Sequence, residues 1–458
     1  MKKNFIILLI FLISCAQESS VSNQTSAPST TSAPSTTSAP STTSAPSTTS
    51  APSTTSAPST IVDENEDNKC APVNTPTCDP QGNPIGQGDK SQEQSNNLVQ
   101  NVDEIIATID TIVLGGGKNV RGAEGISLDS QTGYMYIGLN GSIISGCDGD
   151  VSQGGQPIGG GELSIINPSL GKELYSVPTG GAPIWPTVDS ARGYVYVMGS
   201  GDGTVTIHSL KDGSIVNTIQ IGGKPHQAGL HYSSGKMVIG NTYQSSDDIN
   251  QQKYSSIVNI NNLTVEKDFE SSPGAHGMAV DQVNNLVYFS SVGDGAITVV
   301  DIISNEVVNK QIPKAKFGSD FGGNNMLTRQ DKTGRLFQAN TQPSATGLIV
   351  INERDLSVVD VIKFSNNKIP WGLWVDEENE LLFAALPNAN SIGVVDLKTL
   401  KHVLNVKVGD CPYAVSIDTK RKVGVSTNQG TPSINASATV FDLCKVYDSI
   451  GKEVDNCP

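Results

Sequence analysis

One pattern recurs seven times between Gly125 and Leu443, and it leaves few folds open to the chain. In each copy a short apolar strand closes on an acidic or polar residue, and an aromatic or apolar residue follows seven positions later. The pairs are Asp129 with Tyr136, Asp189 with Tyr196, His231 with Val238, Asp281 with Tyr288, Asp376 with Phe383 and Asp418 with Val425. The fifth copy is irregular: Phe337 stands six residues after Asp331, so Gln330 takes the register position. A later strand in every copy ends in a residue that bonds its own backbone and begins a turn: Asn167, Ser209, Asn261, Asp301, Asn352, Asp396 and Asp442. Short strands separated by Gly and Asn, repeated about every 40 to 60 residues without helical periodicity, specify four-stranded blades. The expected fold is an all-β, seven-bladed β-propeller.

A circular array must join its ends, because an open edge strand leaves N–H and C=O groups unpaired. The segment from Ile105 to Leu114, followed by Gly115-Gly116-Gly117-Lys118, matches the fourth strand of the second copy, Ile215 to Ile221 with Gly222-Gly223-Lys224. No fourth strand is evident after Asp442. The N-terminal strand is therefore expected to complete the last blade.

Three stretches, VDSARGYVYVMGSGDGTVTIHSL, VDQVNNLVYFSSVGDGAITVVDI and VDEENELLFAALPNANSIGVVDL, give the chain a resemblance to the YVTN family of seven-bladed β-propellers, from about Ile105 to Leu443. Val425-Ser426-Thr427-Asn428 is the nearest match to the tetrapeptide that names the family. Tyr196-Val197-Met198-Gly199 keeps its first half. The absence of any Trp-Asp dipeptide argues against the WD40 branch. Because one fold hosts many activities, the resemblance implies architecture more than function.

The N-terminus carries an address. Met1-Lys2-Lys3 precedes an apolar run from Phe5 to Ile13 that is too short to span a bilayer, and Leu12-Ile13-Ser14-Cys15 is similar to a bacterial lipobox. Residues 1–15 are thus expected to be a lipoprotein signal peptide, with Cys15 the acylated mature N-terminus. Dual acylation gives lasting membrane attachment. The expected location is the bacterial cell envelope, on the outer membrane or cell surface; Ala16 after the cysteine favours the outer membrane. Residues 16–69 hold six consecutive copies of TSAPST, from Thr25 to Thr60, and cannot bury a core. They are expected to form a disordered stalk reaching on the order of 100 Å in polyproline II form. Residues 70–100 are a cysteine-containing linker, and 101–458 the propeller.

A formal net charge of −15 and no basic run after Lys3 exclude the usual electrostatics of nucleic-acid binding. Of the seven cysteines, six remain once Cys15 is assigned to lipid, which suits three disulfides in an oxidising compartment. Cys147 and Cys411 both fall in top-face loops of adjacent blades and are expected to pair. Cys70, Cys78, Cys444 and Cys457 are expected to staple the closure. Neither CxxC spacing nor a neighbouring His supports a Cys-based zinc site.

Counting five residues back from each register position gives Glu124, Ile184, His226, His276, Asn325, Trp371 and Tyr413, which should surround one opening on the top face. Glu124, His226 and His276 are the candidate catalytic and metal residues: two imidazoles and a carboxylate can ligate a divalent metal or serve as acid and base. Asn325, Trp371 and Tyr413 complete the candidate ligand-binding set. The alternative is that these groups only hydrogen-bond loop backbones and water in a wet channel. Insertions between second and third strands at Gly141–Gly161, Asn241–Ser255 and Asn428–Ser437 should project from the same face. Asp148-Gly149-Asp150 and Asp247-Asp248 are weak calcium candidates, neither resembling a complete EF-type loop. Arg121 and Arg329 are read as flanking the ring, where either can hold a carboxylate. No nucleophile elbow, phosphate-binding loop, HExxH or CxxCH is present.

These features favour a lipid-anchored binding scaffold, monomeric, whose top face meets an envelope or extracellular protein or a small polar ligand. Two alternatives follow from the resemblance. Some lactonases and lyases of propeller fold work from His, Glu and Arg at this mouth, and propellers of this family pair with quinoprotein and copper enzymes.

Overall fold

The computed structural model describes residues 102–116, 122–141, 161–241, 254–292, 294–311, 324–341, 346–365, 368–430 and 435–457; for Tyr254, Asn324 and Asn325 it describes the backbone alone. They belong to one unit, Lys90–Pro458. The described residues form seven sheets, each one blade built on four antiparallel strands. The innermost strands are Ala123–Leu128, Pro183–Asp189, Pro225–His231, Ala275–Asp281, Asn324–Gln330, Leu373–Asp376 and Pro412–Asp418.

The recurring acidic residue is a turn device. At the end of its inner strand each side chain accepts a hydrogen bond from a backbone N–H two or three residues on: Asp129 from Gln131 at 3.2 Å, Asp189 from Arg192 at 3.1 Å, Asp281 from Asn284 at 2.9 Å, Asp376 from Asn379 at 3.0 Å and Asp418 from Arg421 at 3.0 Å. The two exceptions do similar work with other chemistry. His231 Nδ1 bonds the Ser234 hydroxyl at 2.9 Å, and Gln330 Oε1 accepts from Thr333 at 2.7 Å. Gln330 therefore does stand in for the acid in blade five. The third strands end where expected with one correction: in blade three the strand is Tyr254–Asn259, and Asn259, not Asn261, ends it and caps the turn by accepting from the Asn261 N–H at 3.0 Å.

The core is divided among the seven interfaces between neighbouring blades. The residues seven after each anchor fill them: Tyr136, Tyr196, Val238, Tyr288, Phe337, Phe383 and Val425 are all buried. Each such side chain contributes roughly 1.5–3 kcal/mol by leaving water, so the blades hold one another in place. Close approach of the backbones depends on glycine. A Cβ on Gly372 of blade six would lie 2.5 Å from the Tyr413 carbonyl oxygen of blade seven, which has no room to retreat.

The ring closes as expected. Thr108–Val113 pairs antiparallel with Ser437–Asp442, placing an N-terminal strand on a blade otherwise built from the C-terminus. The expected Ile105–Leu114 segment is divided, however: Glu104–Ile105 leaves it and pairs in parallel with Asn405 and Val406 as a fifth strand on blade six. After Asp442 the chain forms a helix, Leu443–Ser449, whose first N–H groups are capped by the Asp442 carboxylate. Leu443, Val446 and Tyr447 bury one face of it against blades six and seven, and the Tyr447 hydroxyl donates to Asp376 Oδ2 at 2.9 Å. Cys444 and Cys457 form a disulfide across this tail. Cys411 is also disulfide-bonded; its expected partner Cys147, like Cys15, Cys70 and Cys78, lies outside the described residues. Among the described residues no helix is long and apolar enough to cross a membrane.

Candidate functional site

The ring positions coincide with a break in strand pairing. The register between first and second strands shifts between Ala123 and Ile126, Pro183 and Pro186, Pro225 and Gln227, Ala275 and Met278, Asn324 and Leu327, and Pro412 and Ala414. Glu124, Ile184, His226, His276, Asn325 and Tyr413 each fall inside one of these breaks. In blade six the inner strand begins at Leu373, just after Trp371 and Gly372. An irregularity of this kind bends the strand and re-aims a side chain. Only the backbone of Asn325 is described.

Two groups form within the ring. On blades three and four, the His226 and His276 imidazoles lie with centroids 3.7 Å apart and planes 33° from parallel, both side chains buried. Burial, and then the neighbouring His276, hold His226 well below the ordinary imidazole range. His226 is therefore neutral near pH 7, since two imidazolium rings at that distance would repel in a poorly solvated site. The Gln227 side chain ties the same two blades by accepting from the Met278 N–H at 3.0 Å.

The second group lies around Glu124 of blade one, which is 4% exposed. Its Oε1 accepts from the Asn140 amide, while Oε2 is buried with no hydrogen-bond partner among the described residues. Burial pushes this carboxyl up to about 8, partly offset by Asn140. Thr427 of blade seven donates to the Glu124 backbone carbonyl at 2.7 Å, which brings Tyr413 alongside. The Tyr413 hydroxyl is raised well above its usual range by burial and by Glu124, with Trp371 opposing. Trp371 and Tyr413 ring centroids are 5.7 Å apart at 40°, and Trp185 and Tyr413 6.5 Å apart at 50°.

Trp185 is the residue that counting missed. It follows Ile184 inside the same register break, and a break of two residues offers two side chains where the count selects one. Ile184 is buried, whereas Trp185 packs against the cluster between blades seven and one and also against that between blades five and six, so it reaches across the axis. The local sequence Pro183-Ile184-Trp185-Pro186, an aromatic held between two prolines, was the available signal.

Glu124 and the imidazole pair do not form a three-ligand set: the carboxylate is held by Asn140 beside Tyr413, and each imidazole faces the other. Among the described residues no group of three or more His, Cys, Asp or Glu could hold a metal ion. Arg329 does not flank the ring. It sits at the opposite end of its strand from Asn325, about 13 Å away at the usual rise per residue. There it lines a groove of about 670 Å³ and binds three carboxylates of its own chain: Asp281 at 2.8 Å, Glu353 at 2.6 Å, and Asp331. Arg121, both calcium candidates, the interiors of the first two insertions apart from the Tyr254 backbone, and residues 431–434 of the third lie outside the described residues. Comparison of the chain with protein-family models and with curated proteins gave no match.

Proposed function

We propose that the protein is a binding propeller of the YVTN type, held on the bacterial envelope by lipid at Cys15 and set off from it by the TSAPST stalk. Recognition takes place at the channel mouth. The observation that carries this reading is Glu124 Oε2, a carboxyl oxygen buried without a hydrogen-bond partner among the described residues and close to Tyr413, against which Trp185 and Trp371 pack. A buried polar group without a partner costs about 1–3 kcal/mol, and a structure tolerates that cost most readily where a ligand meets it. Aromatic walls with a few convergent polar groups are the usual make-up of a small-molecule site.

The test is a thermal-shift screen of the full chain in detergent against a library of cationic, neutral and anionic small molecules, repeated with Glu124→Gln and Trp371→Phe. A ligand that stabilises the wild type and loses its effect in both variants is expected. If nothing stabilises the wild type, the reading fails. Attachment is tested separately by labelling with a fatty-acid analogue, which Cys15→Ser should abolish. A second reading, acid–base catalysis, is favoured by a Glu124 that titrates near neutrality. Lactone hydrolysis that Glu124→Gln removes would establish it.

A further inference from the structure

The chemistry around Glu124 narrows the ligand, on the premise that the channel mouth is the binding site. Trp185 of blade two and Trp371 of blade six gather around Tyr413 of blade seven, which in turn feels the Glu124 carboxyl of blade one. Trp185 is set close to it by the residue next in sequence: a Cβ on Gly125 would lie 2.4 Å from the Trp185 ring, so the indole rests directly on that backbone. The rings are tilted by 50° and 40° rather than stacked, so they do not use up their faces on one another. Trp185 and Trp371 are only partly buried, which leaves them a face to offer. No Lys or Arg is hydrogen-bonded or ion-paired to Glu124 among the described residues.

Among the described residues, what this arrangement lacks is a positive charge. Aromatic faces carry negative potential and attract a cation within about 6 Å of the ring centroid, Trp most strongly. A buried carboxyl group gains from the same thing, because a cation beside it stabilises its ionised form. A neutral sugar or amide would satisfy the oxygen but draw little from the ring faces, and an anion would be repelled by those faces. The net charge of −15 also raises the local concentration of cations. We propose that Trp185, Trp371, Tyr413 and Glu124 form an aromatic cage for an alkylated ammonium group, of the trimethylammonium type. Each methyl group rests on a ring face, and the bound cation draws the Glu124 proton off into solvent, so that the carboxylate left behind neutralises the charge.

The decisive experiment is calorimetric titration of the full chain in detergent with choline, and with the neutral alcohol in which carbon replaces the quaternary nitrogen. The two have the same shape and differ in charge. Choline should bind more tightly by about tenfold or more. Glu124→Gln, which preserves volume and the Asn140 contact, should weaken choline by about tenfold or more and leave the neutral alcohol unchanged. Trp371→Leu should weaken both, and Trp371→Phe, the milder change should the first not fold, should weaken choline selectively. Equal affinity for the two probes, or choline binding unaltered by Glu124→Gln, overturns the cage while leaving the binding site standing. So does a neutral or anionic library compound that requires Glu124 and Trp371 when choline does not bind. A screen in which no compound binds removes both the cage and the broader reading.

Discussion

Replacing Glu124 by Gln should make the protein more stable, and increasingly so as the pH rises. The carboxyl titrates at about 8 in the folded chain against 4.5 unfolded. Between those values the folded state holds a proton that the unfolded state has released, so protonation favours folding at low pH and the benefit is lost as the pH climbs. The slope is about 1.4 kcal/mol per pH unit, and over the whole interval the loss reaches about 5 kcal/mol in a rigid site. Gln has no proton to lose, and it keeps the oxygen that accepts from Asn140. Tyr413, the titratable group named beside Glu124, has a hydroxyl raised well above its usual range and stays neutral throughout. The stability difference, variant minus wild type, should therefore grow by about 4 kcal/mol from pH 5 to pH 8 and level off above. Urea unfolding of the full chain followed by tryptophan fluorescence measures it, and working with the difference cancels the other titrating groups. Parallel stability curves across that range would refute the reasoning, because they would mean that the carboxyl is hydrated and titrates normally.

Other positions give shorter tests. Arg329→Leu strands the buried Asp281 carboxylate and two neighbouring acids, and should cost about 3–5 kcal/mol in urea unfolding, with Arg329→Lys restoring only part because it lacks the planar fork. His402, its ring nitrogen bonded to Leu404 O and Asn405 Oδ1, is lowered to about 4 by burial, so its stabilising effect is present above pH 6.5 and lost on acidification towards pH 4. His402→Gln should flatten the wild type's acid loss by about 3 kcal/mol. Tyr447→Phe removes the hydrogen bond to Asp376 and should cost about 1.5–3 kcal/mol, read as a lower melting temperature with the ring still closed by circular dichroism.

The blade count, the anchor residues and the closing strand were legible because each follows from a local rule. A strand that must turn needs a side chain that bonds its own backbone, and Asp, Asn or Ser marks the spot. Where the rule has several solutions it blurs. Asn259 and Asn261 are equally good turn residues, and only the pairing of Asn259 with Thr264 decides between them. The C-terminal helix was hidden because Leu443–Ser449 is too short to show a period, and the two-residue strand Glu104–Ile105 because its pairing is wholly non-local. Arg329 lies away from the ring because Asn325 and Arg329 stand at opposite ends of one extended strand, Asn324–Gln330.

The site itself was legible as a set of positions but not as a set of contacts, and the register breaks explain why. A break that ejects one residue, as at His226 or Tyr413, makes the count reliable. A break of two leaves open which side chain enters the channel, and the neighbouring blade decides. Gly125 provides the space that Trp185 fills, whereas Gly277 lets the backbone of the next blade approach, since a Cβ there would fall 2.6 Å from the Met326 Cα. At blades one and two the small residue in one break thus determines how far the bulky residue of the next can reach. That pair lies 60 residues apart, a spacing set by blade length rather than by any contiguous motif. The same pairing accounts for the chemistry: Trp185 can lie beside Glu124 only because the residue between them in space has no side chain.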